Sequence, residues 1–519
     1  MPGLTRSSRL EIHDIRRPFS NFQFLEDFSF EGYPIRRLLS QARSRGCETL
    51  VVESIDATGT ALEENEEISR FFPDHDMPDL RRVSFWRSAF ATSSALDLQD
   101  PQACLGYAIL KRDVVASIGR DRWHVFESIL ETPNRDHNFH PCTKTFQFRV
   151  GERVLSVNGV VFCQQNSLNK ACAQVGLRSM CSTYLGDTSL SFNRINQIAF
   201  DGVPTPTPWK GLTLQQIERV FDELDIPHFS LDYASNSDDI RQLLPYQKLL
   251  YSGLESGAGA MLVFSMSGSG AGSVMHIIPF FGHTFNEDSW PPVAEGAYFK
   301  VGEAIRYIPS EQWMSSFVVH DDNFGSNLCI PKAYVQAGNA QYAVVLLPRN
   351  YQYGGIYAEV AAADYFYTIL PKLEAGSNPW RRRLLKHVDD QTLVLRTVPI
   401  GKDQYLQHVT AMDDWEFRKE DKETIRALAS IMHERMWMIE VSIPDLFPAN
   451  KRKIGEILLS AEKPFTTAND FSLFVLARFP ESYLFFDRLD AASGLPMFSE
   501  VPSSLLSHTR LFSQKSTQT

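Results

Sequence analysis

Cysteine is scarce in this chain. Seven are spread over 519 residues (Cys47, Cys104, Cys142, Cys163, Cys172, Cys181 and Cys329), without the spacing of a disulfide framework. The first residues, MPGLTRSSRLEIHDIRR, are charged and lack the apolar centre of a secretory signal. A sparse, odd cysteine set without such a signal points to a reducing compartment, so the expected location is cytoplasmic. No uninterrupted apolar run is long enough to span a bilayer, so no membrane association is expected. Positive charge is in deficit: 51 Lys and Arg stand against 62 Asp and Glu, a formal net charge of −11. That balance argues against non-specific binding to nucleic acid or to an anionic membrane. No period repeats along the chain. The glycine-rich SGSGAG at 267–272 lacks the Lys-Ser/Thr ending of a phosphate loop and joins two apolar strands, so it reads as a turn.

What is present is the composition of an ordinary globular protein, 43% hydrophobic and 22% charged. The length exceeds one small core and implies roughly two to four domains. Residues 1–150 read as an α+β accessory domain. PIRRLLSQARSRG has helical periodicity, and CETLVVES, RRVSFWRSAF, CLGYAILKRDVV, WHVFESILET and KTFQFRVGERVLSVNGVVF have strand character. The acidic ALEENEEISRFFPDHDMPD between them reads as a loop. His137, His140 and Cys142 cluster in RDHNFHPCTK, but zinc takes four ligands and no second pair stands at zinc spacing. A surface loop is the preferred reading there, and no metal or cofactor is expected.

Residues 151–335 hold the chemistry. In QQNSLNKACAQVGLRSMC (164–181), Cys172 stands at the start of a helical pattern, with Asn166 or Ser167 available as a cap. A helix N-terminus lowers a thiol pKa, and an upstream glutamine amide, Gln164 or Gln165, can donate to a developing oxyanion. The alternative is a packed core cysteine. Thr213 is placed to cap an amphipathic helix, and Gly257 to end another. VMHIIPFFGH then sets His276 at the head of an apolar strand and His283 at its end, and MSSFVVHDDN ends a later strand in Asp321 and Asp322. A carboxylate there can hold an imidazole in its useful tautomer.

The order Gln, Cys on a helix, His leading a strand, then an acid after a later strand resembles the papain-like cysteine peptidases, most nearly the bacterial branch of double-glycine leader peptidases. The resemblance covers about 155–335 and neither flank. It implies a papain-like central domain in an α+β chain. By position, Cys172 is the nucleophile, His276 the base, Asp321 or Asp322 its orienting acid, and Gln165 or Gln164 the oxyanion donor. His283 is a rival to His276. Ala173 stands where many relatives have glycine, the Gln–Cys interval is slightly long, and 284–313 must be an insertion. The function implied is that of a cysteine peptidase or related thiol amide hydrolase acting on a peptide or protein. A silent papain-like binding module and a transglutaminase-like acyl transferase are the alternatives.

Residues 336–500 read as a C-terminal α/β accessory domain. The cluster Met432, Met436 and Met438 reads as core filler. KRKIGEILLSA reads as basic and then amphipathic, a solvated helix start. The Ser-rich 501–519 reads as a disordered tail.

Overall fold

The computed structural model describes residues 10–16, 33–132, 138–169, 172–203, 211–235, 244–266, 274–285, 295–296, 306–370, 373, 376–410, 422–447, 451–467, 470–492 and 496–512. The chain is mixed α+β, built on three large, mostly antiparallel sheets. SGSGAG and His137 lie outside the described residues.

The first sheet has seven strands, in spatial order Leu10–Asp14, Thr49–Ile55, Asp79–Trp86, Cys104–Val115, Arg120–Glu131, Arg153–Phe162 and Lys144–Val150. Helix Pro34–Ser44 packs Ile35, Leu38, Leu39 and Ala42 into a core with Leu50, Val83 and Leu110 of this sheet. The acidic stretch expected to be a loop contains a second helix, Thr60–Phe71. Its inward face is Ala61, Glu64, Asn65, Glu67 and Ile68, mostly polar, which is why hydropathy does not reveal it. The last strand of this sheet runs to Phe162, so the first unit extends past residue 150.

The second sheet has the order Gly325–Pro331, Met314–Asp321, Val274–Phe285, Ala260–Met266, Ala340–Leu346 and His228–Asp232, all antiparallel. Its strands are mostly buried and rich in branched and aromatic residues, as expected where helices cover a face. Helix Leu214–Glu223 has the cap expected at Thr213, which forms a reciprocal capping box with Gln216. Helix Tyr246–Glu255 ends as expected at Gly257, whose φ is +73° and whose N–H donates to Leu254 O at 2.9 Å.

The third sheet runs Glu295–Gly296, Arg306–Pro309, Val394–Gly401, Arg435–Ser442, Gly455–Ser460, Phe474–Phe479, Ser482–Leu489 and Pro496–Pro502. Arg306–Pro309 pairs in parallel with Val394 and Leu395. The insertion between the histidine strand and the acid strand therefore leaves the second sheet, joins the third and returns. Met432, Met436 and Met438 share one apolar core. KRKIGEILLSA, expected to start a solvated helix, is instead extended: Arg452–Lys453 and Gly455–Ser460 are strands. Lys453 is fully buried because Glu440 and Glu456 meet its ammonium at 2.9 and 3.2 Å. Ordered chain also continues past 500, against the expected tail. Thr509–Arg510 pairs with Arg452–Lys453, and Phe512 is buried, its N–H donating to Glu440 Oε1 at 2.7 Å. Among the described residues no helix is long and apolar enough to cross a membrane.

Candidate active site

Cys172 is the first residue of helix Cys172–Leu185 and is half-buried. The helix is held from both sides. Ala173, Leu177, Met180 and Cys181 enter the core of the second sheet. Gly176 lies over Ile277, Met261 and Pro279, close enough that a Cβ there would meet each at 3.7–3.8 Å. Arg178 ties the same helix to the first sheet. Its guanidinium is fully buried, paired with Glu127 at 2.6 Å and donating to Leu190 O and Phe126 O at 2.9 and 3.0 Å.

The segment before Cys172 is pinned by polar groups. Asn166 Oδ1 accepts the N–H groups of Leu168 and Asn169 at 2.8 and 3.2 Å, so Asn166 closes an Asx-type turn ahead of the helix. Ser167 adopts φ +55°. Two carboxylates of helix Thr60–Phe71 complete the support. Glu64 accepts from Asn166 Nδ2 at 3.0 Å, and Glu67 accepts from Asn169 Nδ2 at 2.8 Å and Asn196 Nδ2 at 2.7 Å. Both glutamates are buried, and Lys111 balances Glu64 at 3.0 Å. These groups were not evident from the sequence. The only signal was the i, i+3 spacing of two acids within a run of acids.

His276 lies near the head of strand Val274–Phe285, buried edge-on against Phe264. Its Nε2 is 3.0 Å from Asp321 Oδ2 and 3.9 Å from Asp322 Oδ1. Cys172 is near enough to act on the ionisation of the same imidazole. With Nε2 directed at Asp321, Nδ1 is the nitrogen left for the thiol. Burial by itself depresses this imidazole. The hydrogen bond to Asp321, the nearby Cys172 and the charges of Asp322 and Asp321 override burial and raise its pKa to about 10. Asp321 is held below its ordinary value: burial opposes ionisation, but His276 and the N–H groups of Asn323 and Phe324, at 2.9 and 3.1 Å, overcome it. Asp322 is pushed up to about 6 by burial and by the neighbouring Asp321 charge, with His276 opposing. Among the described residues its buried Oδ2 has no hydrogen-bond partner.

The two acids thus part company. Asp321 has the geometry of the orienting carboxylate, and Asp322 is the weaker neighbour. The two glutamines part as well. Gln164 is buried and exchanges hydrogen bonds with the backbone of Val125, its Oε1 accepting at 3.0 Å and its N–H donating at 2.9 Å. Gln165 is more open, and its Nε2 donates to Asn323 Oδ1 at 2.7 Å, beside the two acids. His283 stands elsewhere: it is fully buried and 2.5 Å from Glu255, which Arg396 also holds. Cys142 is buried, its thiol facing Leu254 O at 3.9 Å.

Ligand atoms of His276, Asp321 and Asp322 lie within 4.8 Å of one another, so these three residues could also converge on one divalent cation. Chemically, the arrangement offers a thiol at a helix start, an imidazole held charged beside it, a carboxylate fixing that imidazole, and an amide at the rim. No protein-family model matches the chain, and no curated protein matches it.

Proposed function

We propose that the chain is a cysteine-dependent amide hydrolase of papain-like mechanism, with Cys172 as nucleophile, His276 as acid–base and Asp321 as its orienting carboxylate. The observation that carries this reading is a single buried imidazole that lies 3.0 Å from Asp321 and whose ionisation Cys172 also affects. The thiolate sulfur attacks the amide carbonyl carbon, and the oxyanion is met by backbone N–H groups and the Gln165 amide. The C–N bond breaks as His276 passes its proton to the departing amine. Water then loses a proton to His276, attacks the acyl carbon and expels the thiolate with the acid product. A peptide or protein is the substrate, and a cytosolic setting keeps the thiol reduced. The same residues would serve an acyl transferase if an amine replaced water.

The test is hydrolysis of a denatured-protein peptide mixture by purified full-length chain, with cleaved bonds read by mass spectrometry. New termini made by wild type and lost in Cys172→Ala support the reading. Equal products from both variants, or none from either, remove it. A second reading rests on the converging His276, Asp321 and Asp322 ligand atoms: a divalent-cation centre. It predicts that products vanish with a chelator and persist in Cys172→Ala.

A further inference from the structure

A cleft of about 690 Å³ lies at the opposite end of the Cys172 helix, where the three sheets meet. Lys144 reaches it from the first sheet, Tyr184 from the end of the Cys172 helix, Gly257 from the turn after helix Tyr246–Glu255, Arg349 from the connection after strand Ala340–Leu346, and Gln404 from the third unit. It is large enough for a whole small molecule, and junctions between units are where such sites gather.

Its charge is the informative feature. The chain carries a net −11, yet the charges this cleft offers a ligand are cationic. Glu131 is the acid that lines it, and that carboxylate is held by Arg87. Among the described residues neither Lys144 nor Arg349 forms an ion pair with a carboxylate. Arg349 is exposed and contacts Tyr184, and Lys144 is half-buried at the wall. Two of the neutral lining groups have partners: Tyr184 donates to Leu347 O at 3.0 Å, and Gln404 Oε1 accepts from Gly401 N at 2.9 Å. A guanidinium and an ammonium on the lining of one cleft, without carboxylate partners among the described residues, suit a ligand with more than one negative charge. The volume leaves room for a polar body beyond that charge.

We infer that this cleft binds a small multiply charged anion bearing a di- or triphosphate group, held between Lys144 and Arg349. The inference is independent of the thiol chemistry, since none of the groups that hold the ligand belongs to the Cys172 site. The ligand touches all three units, so binding stabilises the native chain by mass action.

The experiment is calorimetric titration and thermal melting of the full chain with pyrophosphate and with ATP, against potassium chloride at matched ionic strength. The expected result is saturable one-to-one binding of at least one probe and a melting midpoint raised by about 1–2 °C. Lys144→Glu with Arg349→Glu should weaken binding roughly tenfold or more, and Lys144→Gln with Arg349→Gln should weaken it less. Both side chains reach the surface, so the variants fold, which circular dichroism checks. No saturable binding of either probe overturns the inference. So does a shift that chloride reproduces, or an affinity unchanged in both double variants.

Discussion

Two adjacent aspartates flank one imidazole, and only one of them is bonded to it. Asp321 is 3.0 Å from His276 Nε2 and is itself held by two backbone N–H groups, whereas Asp322 is 3.9 Å away. Asp321→Ala is therefore expected to slow alkylation of Cys172 at pH 6 by roughly tenfold or more. Asp322→Asn should stay within about threefold of wild type. Peptide mass spectrometry of the alkylated chain reads both, and equal effects would contradict the assignment. The pH dependence has a definite sign. The His276 pKa is raised from 6.5 to about 10, so its charge stabilises the fold fully below pH 6.5, and that contribution is lost as pH rises through about 10. The proposed hydrolysis would need that proton, so it is expected to decline over the same alkaline limb, with Asp321→Ala moving the limb towards neutrality in a pH–rate profile. Residue types in order single out Cys172, His276 and the acid pair as candidates, and the structure sets His276 beside both acids. They could not separate Asp321 from Asp322 or Gln164 from Gln165, because adjacent identical side chains differ only in the directions the backbone gives them.

At the level of elements, the site depends on a helix that the sequence disguises. Helix Thr60–Phe71 turns Glu64 and Glu67 inward to hold Asn166, Asn169 and Asn196, and so fixes the approach to Cys172. An amphipathic helix is recognised by its apolar stripe, and here the buried stripe is largely carboxylate and amide. The same reasoning misleads at Lys453, a buried cation whose partners come from other positions of a sheet not visible in the local sequence. Helix caps and terminators fared better, because Thr213 and Gly257 act through their own backbone neighbourhoods. Glu67→Ala strips two buried asparagine amides of their acceptor. It is expected to cost about 2–4 kcal/mol in urea unfolding and to reduce the reactivity of Cys172, with Glu67→Gln intermediate. A stability change below about 0.5 kcal/mol would show that this contact does not organise the loop.

Across the whole molecule, the three sheets are joined by chain that crosses between them. The insertion after the histidine strand supplies a strand to the third sheet, and a buried charge chain runs from His283 through Glu255, Arg396, Glu440, Lys453 and Glu456 to Arg478. Such pairs do little for net stability against an apolar substitute, but breaking one leaves a charge stranded. Burial opposes ionisation of Glu456, and Arg478 and Lys453 outweigh it, lowering its pKa from 4.5 to about 2. Its contribution to folding is present above pH 4.5 and lost as pH falls through about 2. Acid titration followed by near-ultraviolet circular dichroism should lose tertiary signal in that window, and Glu456→Gln should flatten the dependence. Non-local pairings of this kind leave no periodic trace in the chain, which is why the ordered segment ending at Phe512 reads as a serine-rich tail.

The central claim is that Cys172 is a nucleophile activated by His276. The most direct measurement is the rate of iodoacetamide alkylation of each cysteine against pH, resolved by mass spectrometry, in wild type and His276→Ala. The account predicts that Cys172 reacts far faster than the other six cysteines below pH 7 and loses that advantage in the variant. A Cys172 that is inert in the folded chain, or equally fast without His276, would contradict it.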